Sequence, residues 1–156
     1  MGPENVTEFA ASVLGAEVLT PLLESEAAAL AHVSADEVAA SFGELVSEVD
    51  RASLTGEFAE VMADGFHRAL STGVAGWRDD DLAFVRPWGF ELSAIAVPVA
   101  VWQGAQDRMV PFAHGTWLAA HVPGARVHLY DDEGHLSLVG QLDRILDDLV
   151  ELAGPR

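Results

Sequence analysis

The stretch Ile95 to Gln103, IAVPVAVWQ, is apolar at consecutive positions rather than at alternate ones. A strand with that pattern has to be covered on both faces, which is the situation of a parallel strand inside an α/β sheet. Beyond it the chain reads as turn, helix, strand, turn and helix. The turn Gly104 to Pro111 leads into a helical segment containing Phe112, Trp117, Leu118 and Ala119, which stops near Val122, Pro123 and Gly124. Ala125 to Tyr130 is a shorter strand, and in the last helix Leu138, Leu142, Ile145, Leu149 and Leu152 are in phase. Strand, helix and parallel strand joined by a right-handed crossover is the natural arrangement.

Residues 1–90 have a different texture, rich in Ala, Leu, Val and Glu and broken at Gly15, Gly56, Gly73 and Gly76. Ser34 followed by Glu37 is a capping-box pattern, predicting a helix with Val38, Phe42, Leu45, Val46 and Val49 on one face. A second helix is expected after Thr55, carrying Phe58, Val61, Met62, Phe66 and Ala69, and a third over Glu17 to His32. Together these predict a small acidic helical unit, residues 1–90, followed by an α/β piece, residues 91–156.

Composition narrows the function classes. With a formal charge of −17, and with every basic residue an Arg, the chain repels phosphate backbones and anionic lipid, so neither nucleic acid nor a membrane surface is an expected partner. Cys is absent, which excludes disulfides, thiolate metal ligands and a cysteine nucleophile. No apolar run reaches membrane-spanning length, and a cytoplasmic location is expected.

Two residues carry the chemistry. Asp107 follows the first strand in Gly104-Ala105-Gln106-Asp107, and His135 follows the second in Glu133-Gly134-His135. Two adjacent parallel strands bring both turns to the carboxyl edge of the sheet, where ligands bind in α/β folds. A carboxylate beside an imidazole fixes its tautomer and stabilises the imidazolium, making a general base. The alternative is that Asp107 is only a turn residue and His135 only a helix-entry residue.

The run from Val97 to Pro111, VPVAVWQGAQDRMVP, then Pro123-Gly124-Ala125-Arg126 and Gly134-His135, resembles the end of the α/β-hydrolase family. There the acid follows the penultimate strand and the histidine the last, in the order nucleophile, acid, histidine. The resemblance covers Ile95 to the C-terminus and implies that Asp107 and His135 are the acid and base of a catalytic triad. It also implies that the helices of residues 1–90 are a cap, with Trp77, Trp88 and Phe90 as candidate substrate contacts, and that the sheet is incomplete.

The departure from the family is the nucleophile: no Gly-x-Ser-x-Gly elbow, nor its Asp or Cys equivalent, occurs in the 156 residues. The expectation is therefore the C-terminal part of a larger hydrolase of esters, amides or related bonds, inactive alone. It would act on a small-molecule substrate, with no cofactor and no metal, alongside a missing N-terminal half. The rival reading is a non-catalytic acidic module that pairs with a second copy through its open sheet edge. Elsewhere, Asp79, Asp80 and Asp81 read as the solvated first turn of a short helix, and Asp131, Asp132 and Glu133 as solvent-facing turn residues. His32, His67 and His128 have no visible partner in the sequence, and a surface ion pair is the expected role of Arg108.

Overall fold

A computed structural model describes residues 1–154. The protein is mixed α/β and mostly helical, with one two-stranded parallel sheet. The described residues divide into two compact units: a helical unit of residues 2–45 and 54–88, and a sheet unit of residues 46–53 and 89–154, to which Met1 is also assigned.

The helical unit contains α1 (Pro3–Leu14), α2 (Ala16–Leu30), α3 (Ala35–Ser41), α5 (Gly56–Leu70) and α6 (Ala75–Phe84), with α4 (Glu48–Ser53) belonging to the other unit. Gly15 separates α1 from α2 at φ 104°, a conformation that side chains disfavour. Glu37 reaches back to the Ser34 backbone N–H at 3.0 Å and its hydroxyl at 2.6 Å, so the expected capping box starts α3. Ala11, Leu19, Leu23 and Val74 form a buried cluster, with Leu22, Leu70, Trp77 and Leu82 packed against it. The helix expected to run from Ser34 through Val49 is interrupted: α3 stops at Ser41, Gly43 turns the chain at φ 55°, and α4 starts anew at Glu48. The acidic run Asp79 to Asp81 lies inside α6 rather than in its first turn, and Asp81 is buried.

In the sheet unit β1 (Ala100–Gly104) pairs in parallel with β2 (Arg126–Tyr130), Ala100 opposite Arg126 and Gly104 opposite Tyr130. The connection is α7 (Phe112–His121), and the chain ends in a 3-10 turn (Ser137–Gln141) and α8 (Leu142–Ala153). Gln103 is buried on the α7 side, where a Cβ on Gly115 would run into its side chain. The opposite face carries Trp102, Arg126, His128 and Tyr130, and α8 covers it through Asp148, which takes Arg126 and His128 together. His128 therefore has a partner that the sequence did not reveal, and its ring also stacks on Trp102 with centroids 3.8 Å apart.

β1 is shorter and less covered than expected. Ile95 to Val99 is not strand, because Pro98 has no N–H to give to a ladder, and Val97 is exposed. Among the described residues β1 pairs only with β2, so one of its edges is open and its apolar residues are half-buried rather than enclosed. Among the described residues, no helix is long and apolar enough to cross a membrane.

Candidate active site

The turns after β1 and β2 are tied to each other before either side chain is considered. Ala105 N–H donates to the Tyr130 carbonyl at 2.7 Å, and Gln106 N–H to the Glu133 carbonyl at 2.9 Å. Gly104 permits this approach, since a Cβ there would collide with the backbone of Glu133. Asp107 then folds back on its own turn: Oδ1 accepts the N–H groups of Met109 and Val110, each at 2.8 Å. That local pairing is the usual reason for Asp in a turn, but it occupies one oxygen. The other, Oδ2, lies 2.9 Å from Nδ1 of His135.

The pair has the geometry of an oriented base. Asp107's side chain is 3% exposed and that of His135 40%, so the carboxylate is sheltered while the ring reaches solvent. A proton on Nδ1 donated to Asp107 leaves Nε2 as the basic nitrogen. His135 is held above the ordinary imidazole range, first by its hydrogen bond to Asp107 and further by the charges of Asp107 and Asp50, with burial opposing.

The loop bearing His135 is itself braced. Gly134 N–H donates to Ser137 Oγ at 2.8 Å, that hydroxyl donates to Glu133 Oε2 at 2.5 Å, and Gln141 Nε2 donates to Glu133 Oε1 at 2.9 Å. Glu133 is thus a structural acceptor rather than a solvent-facing turn residue, while Asp131 and Asp132 are exposed as expected. From α4, Asp50 Oδ1 accepts Leu136 N–H at 2.8 Å and Ser137 N–H at 3.0 Å. Asp50 is fully buried, and the sequence reading passed over it. The available signal was Ser47-Glu48-Val49-Asp50, a second capping-box pattern.

A shallow depression of about 290 Å³ lies beside the acid turn, lined by Ser47, Glu48, Ala105, Gln106, Asp107 and Arg108. Of the candidate substrate contacts, Trp77 sits in α6 and donates its indole N–H to Glu8 at 2.7 Å, a bond internal to the helical unit. Trp88 and Phe90 are more than half exposed, between α6 and the 3-10 turn Leu92–Ala94. Among the described residues, no three His, Asp or Glu side chains gather to hold a metal ion.

Comparison with known proteins gives one informative relative. The chain is 36% identical over 67 residues to a pimeloyl-[acyl-carrier protein] methyl ester esterase of Aromatoleum aromaticum, a match covering 43% of this chain and 24% of that protein. The chain therefore spans about a quarter of the esterase's length. No family model and no solved structure matches. The similarity supports a relationship to hydrolases only loosely, through an enzyme of ester hydrolysis.

Proposed function

We propose that this chain provides the acid and the base of a Ser-His-Asp type triad in an α/β-hydrolase that cleaves an ester, amide or related bond. The observation that carries the reading is the 2.9 Å contact between Asp107 Oδ2 and His135 Nδ1, a sheltered carboxylate on a half-open ring at the carboxyl edge of parallel strands. His135 takes the proton of the nucleophile as it attacks and returns it to the leaving group, and Asp107 fixes the tautomer and offsets the imidazolium charge. The nucleophile and its oxyanion donors lie outside these 156 residues in this reading, and the helices of residues 2–45 and 54–88 serve as the cap. Support for an unfinished sheet comes from the open edge of β1, which further core strands would fill, and from the exposed Leu142, Leu146, Leu149 and Val150 of α8. Similarity to an esterase favours an ester among the possible substrates.

The test is to express the chain joined to the residues encoded upstream of it and to assay activated esters together with fluorophosphonate labelling. The joined protein should turn over ester and be labelled, and the chain alone should do neither. His135→Ala should lower kcat at least about a thousandfold. Because the base must be neutral to act and His135 is held above its ordinary range, the acid limb of kcat/KM should lie at higher pH than for a free imidazole. Turnover that survives His135→Ala would defeat the proposal.

A further inference from the structure

Asp50 is a buried carboxylate that forms no salt bridge among the described residues. Its Oδ2 accepts the Ser47 backbone N–H at 3.2 Å and the Ser47 hydroxyl at 2.9 Å, which closes the first turn of α4. A helix cap accounts for that oxygen and would be satisfied at a solvent-exposed helix end. It does not account for the burial, nor for Oδ1, which accepts the N–H groups of the two residues that follow His135 across a sequence separation of 86 and 87 positions. The approach is so close that a Cβ on Gly134 would collide with this carboxylate. Burial works to raise the pKa of Asp50, but the hydrogen bonds from Ser137 and Ser47 outweigh it and keep the group ionised. A fixed negative charge is thereby held close enough to His135 to favour the positive form of its ring.

We infer that Asp50 is a positioning residue for His135, gripping the backbone of Leu136 and Ser137 so that the ring meets Asp107 through Nδ1 and keeps Nε2 for proton transfer. The inference rests on the Asp107–His135 reading and adds a second carboxylate to it. The charges that act on the ring are those of Asp107 on the turn after β1 and Asp50 on α4, while Glu133 on the loop itself is engaged by Ser137 and Gln141.

The experiment uses the 156-residue chain with nitrogen-15 labelled histidine, followed by NMR through a pH titration and by amide exchange. In the unaltered chain His135 should show a downfield Nδ1–H resonance, and Leu136 and Ser137 should exchange slowly. Asp50→Ala should lose that resonance, lower the pKa of His135, and speed exchange at Leu136 and Ser137 by about tenfold or more. Asp50→Asn keeps one oxygen for the loop, so it should restore slow exchange and the resonance while still lowering the His135 pKa, because the charge is gone. Should Asp50→Ala fail to fold, Asp50→Ser takes its place, since its hydroxyl can still cap α4 but is too short to reach Leu136 and Ser137: slow exchange at both amides with an unaltered His135 Nδ1–H resonance overturns the inference. Asp107→Asn separates the two levels. If it leaves His135 unaffected the dyad itself fails, whereas if it acts and neither Asp50 variant does, the dyad stands and Asp50 is only a cap of α4.

Discussion

The two units bury different kinds of residue. In the helical unit the buried set is almost wholly apolar: Ala11, Leu19, Leu23, Val33, Val38, Leu54, Ala59, Ala63 and Val74, with Ser12 and Asp81 as the polar members. In the sheet unit it is mostly polar, with Ser47, Asp50, Gln103, Asp107, Ser137 and Asp148 buried and, among the described residues, only Val46 and Val122 as large buried aliphatics. Apolar burial is non-directional and holds a shape together. Buried polar groups are costly unless each finds its partner, so where they are satisfied they fix distances and directions. The lesson is a division of labour: one region is built for stability, the other for holding two turns in register.

That contrast can be broken in stages. The largest effect belongs to the helical core, where Leu23 is fully buried. Leu23→Ala should cost about 2–5 kcal/mol, read by denaturant titration together with hydrogen exchange in α1 and α2. A loss below about 1 kcal/mol would show that this core is not what stabilises the unit.

Asp81 is the exception that sharpens the comparison. Burial first, then the hydrogen bond that the protonated carboxyl shares with Glu8 and the charges of Glu8 and Asp80, push its pKa up to about 7. The folded state therefore binds a proton that the unfolded chain releases near the ordinary Asp value. Stability is full below that value and falls as pH rises through about 7. The loss is at most about 4 kcal/mol, at roughly 1.4 kcal/mol per unit. Asp81→Asn should remove the larger part of the difference between denaturation at pH 5 and at pH 8, leaving the share carried by the raised His135; a difference as large as in the unaltered chain would assign it to other groups.

The smallest expected effect on stability, yet the most specific, is at Gly134. Its substitution by Ala drives a methyl into the Asp50 carboxylate and should cost about 1–3 kcal/mol. It should also weaken the Nδ1–H signal of His135, a change the Leu23 variant has no direct reason to produce. A well-folded Gly134→Ala chain with an unaltered His135 signal would mean that the loop tolerates displacement of Asp50.

Much of this was legible from residue order. Helical periodicity placed α2 and α5 to within a residue or two, Ser34 and Glu37 announced the start of α3, and Gly-x-x-Asp and Gly-His after two apolar runs located Asp107 and His135. These signals are local, and local sterics, capping and face periodicity act within a turn or two of chain. Where periodicity was extended too far, through Phe42 to Val49, a single glycine conformation overrode it.

What only the tertiary structure decided involves partners far apart in sequence. The role of Asp50 depends on Leu136 and Ser137, that of His128 on Asp148, and the burial of Asp81 on the packing of α6 with α1 and α2. A capping pattern such as Ser47 to Asp50 shows that a carboxylate will close a helix, but not that its second oxygen will meet a loop. The sequence determined which residues can do chemistry and on which elements they sit, because those follow from neighbours along the chain. Which side chains lose water, and which distant groups replace it, follows from the folded path alone, because solvation and hydrogen bonding depend on distance in space.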